Sequence, residues 1–223
     1  MKSLSISLVM ALAGATMGFA GTTVWSVDKQ KGNDMQPAYW YSYAQPEATA
    51  TGVLNTTTEG YVFTTALDLN SETYSVAGFG FAWKQTNKQD VDVDLSSYSG
   101  LCVTYKADRQ FRLDLKQSGI GEELNYYGDV LPAQATLAPV FVDFSKIAQE
   151  PGWGQKFDLD LTKQVAIQMS YKAGLADGVA ENVITIASVS LGDCEETPVE
   201  SGLKLLEPYD KAQTVSVKES ETL

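Results

Sequence analysis

Leu101-Cys102-Val103-Thr104-Tyr105-Lys106-Ala107-Asp108-Arg109-Gln110-Phe111-Arg112-Leu113-Asp114-Leu115-Lys116 decides the fold. Leu101, Val103 and Tyr105 alternate with Cys102, Thr104 and Lys106; Phe111, Leu113 and Leu115 alternate with Arg112, Asp114 and Lys116. Successive side chains of an extended chain point to opposite faces, so this period of two marks strands with one face in a core.

The same period recurs on both sides of the stretch. Upstream, Tyr61-Val62-Phe63 and Ala66-Leu67 form one strand, and Val76 to Trp83 sets Phe79, Phe81 and Trp83 against Gly78, Gly80 and Ala82. Downstream, Val165, Ile167, Met169 and Tyr171 alternate with Ala166, Gln168, Ser170 and Lys172, and a closing strand runs from Val183 through Val189 to Leu191. Turn residues punctuate these runs: Ser96-Ser97-Tyr98-Ser99-Gly100, Ser118-Gly119, Pro151-Gly152 and Gly174. Phe144 to Gln149 is the one stretch that reads as a short helical turn. About ten short strands over about 170 residues predict an all-β fold, a two-sheet antiparallel β-sandwich of the jelly-roll kind.

The ends of the chain read differently. Lys2 precedes the apolar run Leu4 to Ala15, and Met17-Gly18-Phe19-Ala20 closes on small residues. That order is a secretory signal peptide over 1–20; the run is too short and too broken to span a membrane, which takes about 20 apolar residues. Residues 21–194 form the sandwich. From 195 to 223 the composition turns acidic and Pro/Ser/Gly-bearing, as in Glu195-Glu196-Thr197-Pro198-Val199-Glu200-Ser201-Gly202, and reads as a linker and tail with too few apolar residues for a core. The chain is therefore expected to be secreted or held at the cell surface.

Composition removes whole classes of function. Lys and Arg number 16 against 28 Asp and Glu, a net charge of −12, so nothing draws the chain to nucleic acid. There is no histidine, hence no Ser-His-Asp or Cys-His machinery and no imidazole ligand for zinc. Two cysteines cannot build a four-thiolate metal site. In an exported chain Cys102 and Cys194 are instead expected to join in a disulfide. Glu59, Glu72, Glu122, Glu123 and Glu150 offer carboxylates, but none stands in a glycosidase-like context, and no catalytic activity is expected. Asp90, Asp92 and Asp94 alternate without the glycine and terminal glutamate of a calcium loop. No cofactor is implied; a structural calcium is compatible with such a sandwich, its ligands unplaced.

Aromatic residues carry the functional signal: four Trp, eleven Tyr and eight Phe, densest at Tyr39-Trp40-Tyr41-Ser42-Tyr43. Sugar rings present C–H patches that stack on aromatic faces, while their hydroxyls take amides, carboxylates and guanidinium groups nearby. Alternation places Arg112, Asp114 and Gln168 opposite the core, where Gly78, Gly80 and Ala82 leave room above a sheet. Tyr126, Tyr127 and Trp153 lie beside glycines in expected loops and are the stacking candidates, whereas Trp25, Trp40 and Trp83 read as core.

Four motifs extend this reading: Gly78-x-Gly80-Phe81-x-Trp83; Val93-Asp94-Leu95-Ser96-Ser97-Tyr98-Ser99-Gly100-Leu101-Cys102-Val103-x-Tyr105; Gly152-Trp153-Gly154; and Ile186-x-Ser188-Val189-x-Leu191-Gly192-x-Cys194. Together they resemble non-catalytic jelly-roll modules in secreted proteins of cellulose-degrading bacteria, related to the galactose-binding-like fold and to family 11 and family 4 carbohydrate-binding modules. The resemblance covers about residues 22 to 194. It implies a concave sheet whose outward side chains grip a glucan chain, with a polysaccharide or oligosaccharide as partner. The alternative is an extracellular surface or assembly protein that uses the same sandwich, and its acidic tail, for contacts with other proteins.

Overall fold

The computed structural model describes residues 22–26, 39–46, 50–71, 74–120, 126–152 and 154–194. The expected signal peptide and tail, and Trp153, lie outside the described residues. In chain order the strands are β1 (Thr22–Ser26), β2 (Tyr39–Gln45), β3 (Ala50–Thr57), β4 (Gly60–Leu67), β5 (Val76–Ala82), β6 (Gln85–Thr86) and β7 (Gln89–Asp90). There follow β8 (Gly100–Ala107), β9 (Phe111–Gln117), β10 (Tyr127–Leu131), β11 (Gln134–Asp143), β12 (Ala148–Gln149), β13 (Gln164–Lys172) and β14 (Glu181–Leu191). Only two short 3-10 turns, Leu161–Lys163 and Ala173–Leu175, interrupt them among the described residues.

Two large antiparallel sheets form the sandwich. One has the order β11-β8-β14-β4-β3, with β1 also pairing β14; the other runs β12-β10-β9-β13-β5-β2. The alternation read from the sequence sets which face each strand turns inward. Leu101, Val103, Tyr105, Phe63, Ile184, Ile186 and Val189 from the first sheet are fully buried, as are Phe79, Phe81, Leu113, Ile167 and Met169 from the second. Burying each such side chain contributes about 1.5–3 kcal/mol, which fixes register because a one-residue slip would turn the whole set to water. Aromatic contacts stitch the sheets together: Phe63 stacks on Phe79 at 4.7 Å between ring centroids, and Trp40 on Tyr61 at 4.2 Å. Trp83 is buried, as expected of a core tryptophan.

The expected helical turn at Phe144–Gln149 is only half realised. Asp143 Oδ1 accepts from the Ser145 N–H at 2.9 Å and from its hydroxyl at 2.6 Å, and the Ile147 N–H reaches back to the Asp143 carbonyl. Ile147 then drops into the core, and Ala148 pairs with Gly128, so the segment ends as the edge strand β12. Cys102 and Cys194 are joined in a disulfide, with Cα atoms 5.0 Å apart. It ties the chain just beyond β14 to the strand beside it.

Candidate binding site

The site is built on the outer face of the sheet ordered β12-β10-β9-β13-β5-β2. Because Phe79 and Phe81, Leu113 and Leu115, and Ile167 and Met169 face the core, their neighbours face out. Register then aligns two rows across the strands. One runs Tyr41, Gly80, Gln168, Asp114, Gly128, Ala148; the other runs Tyr43, Gly78, Ser170, Arg112, Val130.

The expected polar residues do meet on this face. Arg112 Nε donates to Asp114 Oδ1 at 2.7 Å, and Arg112 Nη2 donates to the carbonyls of Ala148 (2.7 Å) and Tyr126 (3.3 Å). Arg112 and Asp114 are only 6% and 5% exposed, so they form a floor rather than a rim. Asp114 also fits because its partner across the strands is Gly128, where any Cβ would collide with its carboxylate. Burial pushes the Asp114 carboxyl up, against the pull of Arg112 and Lys172. Beside this pair Lys172 Nζ meets Glu150 Oε2 at 2.6 Å, so both cations of the floor carry carboxylate partners.

Gly78 and Gly80 do not leave an open trough, contrary to expectation. Their Cβ-free backbone is covered by the protein's own tyrosines. A Cβ at Gly78 would strike the Tyr43 hydroxyl, and one at Gly80 would lie 3.1 Å from Tyr41 Oη. The two phenols cross β5 to reach Gln168 on β13: Gln168 Nε2 donates to Tyr43 Oη, and Tyr41 Oη donates to Gln168 Oε1 over a long 3.5 Å. Burial raises both phenol pKa values. Tyr39 continues the row, its hydroxyl shared between both oxygens of Asp90 at 3.1 and 3.2 Å. Asp90 lies in the small β6–β7 hairpin, which thereby borders the face.

Tyr126 belongs to the same face, partly buried, with Lys116 Nζ 5.9 Å from its ring centroid. Tyr127 does not. It pairs with Leu115 and packs against the core, its hydroxyl donating to the Phe157 carbonyl at 2.8 Å. A tyrosine beside a glycine reads as a loop residue, yet here both belong to β10, and strand register decides the side.

Sequence reasoning marked the Tyr39–Tyr43 cluster as the densest aromatic signal but did not place Tyr39, Tyr41 and Tyr43 among the site residues, although they alternate with Trp40, Ser42 and Ala44. It also missed Lys172 and Tyr74. Tyr74 is 54% exposed, lies beside Gly174, and is raised in pKa by burial and then by the nearby Glu150 charge. Among the described residues no group of three or more His, Cys, Asp or Glu is arranged to hold a metal ion. No helix among them is long and apolar enough to cross a membrane.

No family model and no curated protein matches the chain. Among solved structures it is similar to the family 11 carbohydrate-binding module of a cellulosomal cellulase of Clostridium thermocellum. The identity is 16% and the TM-score 0.47, over 71% of this chain and 90% of that one. A family 29 carbohydrate-binding module is similar at 10% identity and a TM-score of 0.40, over 77% of this chain and 85% of that one. An exo-β-agarase is similar at 13% identity and a TM-score of 0.41, over 79% of this chain and 25% of that one. The fold assigned here stands on the strand pairing itself, not on these distant likenesses.

Proposed function

We propose that this protein is an exported, non-catalytic carbohydrate-binding module that holds a plant cell-wall type polysaccharide, a β-glucan or related chain, on the outer face of the β12-β10-β9-β13-β5-β2 sheet. One observation carries the reading: Tyr39, Tyr41 and Tyr43 form a row beside a floor of paired charges on that face. Ring faces in a row suit a chain of pyranose rings, whose C–H patches repeat along the polymer. The polar floor of Arg112 and Asp114 suits hydroxyls at the edges of those rings, and Tyr126 would stack beside them. Because both floor cations carry carboxylate partners, an uncharged glycan suits the face better than a polyanion. Export is supported by the leader-like 1–20 segment and by the disulfide, which persists in oxidising compartments.

Affinity electrophoresis on soluble β-glucan, xylan and mannan tests the proposal. Retardation of the wild type by at least one of these, relieved in a folded Tyr41→Ala variant, is expected. Unchanged migration on all of them overturns it. Reducing-sugar release from the same polymers, lost in a single Glu→Gln variant, would overturn the non-catalytic part alone.

A further inference from the structure

Gln168 stands where the two tyrosine rings end. Tyr43 and Tyr41 start on β2, cross the glycine positions of β5 and present their hydroxyls to the third strand, β13. There one side-chain amide serves both: its nitrogen donates to Tyr43 and its oxygen accepts from Tyr41. The amide is planar, so turning either end toward a ligand releases one ring. Gly78 is part of this arrangement, since a side chain there would strike the Tyr43 phenol, whereas one at Gly80 would first meet the Ile167 carbonyl and crowd the Tyr41 hydroxyl only lightly. Tyr39 is held separately, by Asp90.

We propose that Gln168 is a positioning residue: it holds the rings of Tyr41 and Tyr43 down on the sheet, so that both face the ligand before it arrives. This deepens the carbohydrate-binding reading and rests on it for the ligand, while the positioning itself belongs to the free protein. Rings fixed in advance need not be ordered on binding, and ordering two side chains is a cost that weakens affinity about tenfold when it must be met at that moment. The phenol hydroxyls are engaged within the sheet, and both residues stay partly exposed.

The decisive variant is Gln168→Leu, close in size and without the amide. In glycan-free protein carrying ring-labelled tyrosine, nuclear magnetic resonance should show Tyr41 and Tyr43 flipping faster than in the wild type, with Tyr39 unchanged as the internal control. Unchanged flipping of both overturns the proposal. Affinity for soluble mixed-linkage β-glucan should fall about tenfold in Gln168→Leu. In a Tyr41→Phe/Tyr43→Phe background the same substitution should cost less than about twofold, because the hydroxyls it served are gone. An equal loss in both backgrounds means that Gln168 touches sugar directly, and the proposal falls. Should Gln168→Leu fail to fold, the Tyr41→Phe/Tyr43→Phe protein with ring-labelled phenylalanine carries the test: ring flipping at positions 41 and 43 faster than that of the wild-type tyrosines supports positioning and equal flipping refutes it. If the wild type ignores β-glucan, xylan and mannan alike, the glycan reading fails while the ring measurement still decides the role of Gln168.

Discussion

Arg112 and Asp114, two residues apart on β9, pair at 2.7 Å with each side chain 7% exposed. Both charges have been taken out of water, and each makes the other tolerable. Arg112→Ala therefore strands a buried carboxylate and should lower stability by about 3–5 kcal/mol. Replacing both at once, Arg112→Met with Asp114→Leu, should cost far less. Urea unfolding followed by tryptophan fluorescence checks this; a single variant no worse than the double one contradicts it.

The Cys102–Cys194 bond closes a loop with a sequence separation of 92. The chain-entropy model assigns such a loop about 4–5 kcal/mol of stability, through restriction of the unfolded chain. A Cys102→Ser/Cys194→Ser protein should unfold at correspondingly lower denaturant with its circular dichroism spectrum intact. An unchanged midpoint would show that the bond contributes nothing.

Tyr74 is expected to extend the face toward the Lys172–Glu150 pair. Because the residue is more than half exposed, Tyr74→Ala should leave stability within about 0.5 kcal/mol. If the exposed ring stacks on sugar, its loss should weaken glycan binding by about 1–3 kcal/mol, as read by isothermal titration. Equal affinity in the variant would confine the site to the Tyr39–Tyr43 side.

Acid should destabilise the protein partly through Asp143. The Ser145 hydroxyl, then its N–H, then Lys146 pull that carboxyl down from 3.8 to about 2. Asp94 and Asp160 are lowered in the same way, by Ser96 and Thr162. A depressed folded value means stability that is complete above the unfolded pKa and lost as pH falls through the folded one. Asp143→Asn should thus flatten the decline between pH 3.8 and about 2 in thermal melts. Asp114 acts in the opposite sense: burial raises its folded value, so its contribution is greatest in acid and fades as pH climbs through that value. A steeper acid decline in Asp143→Asn would contradict the assignment.

Gly78→Ala should destabilise the protein by about 1–3 kcal/mol, since the new methyl meets both the Tyr43 phenol and the Met169 carbonyl. Glycan affinity should drop with it, as Tyr43 is lifted from the sheet. Full stability with full affinity in this variant would mean that the glycine has no such role.

Period-two alternation made most of the fold legible: Leu113 and Ile167 point inward, so Arg112, Asp114 and Gln168 had to share the other side. What alternation does not carry is which strand lies beside which. Tyr41 and Tyr43 show an alternating pattern, but their passage over Gly80 and Gly78 depends on pairing between β2 and β5, which is not written locally. Tyr127 failed for a related reason, because only its register with Leu115 reveals that it faces the core. Phe144–Gln149 has the capped start of a helical turn, yet pairing of Ala148 with Gly128 draws it into an edge strand.

The disulfide also decides how the module bears tension. β14 lies between β8 and β4, and just beyond its end Cys194 is joined to Cys102 on β8. A pull applied beyond Cys194 enters the sandwich through the sulfur bridge and is handed to β8, which is flanked by β11 and β14. β14 is not stripped from its neighbours one residue at a time. The face proposed to bind glycan lies on one sheet and this load path on the opposite one, where it is spread over two ladders of hydrogen bonds.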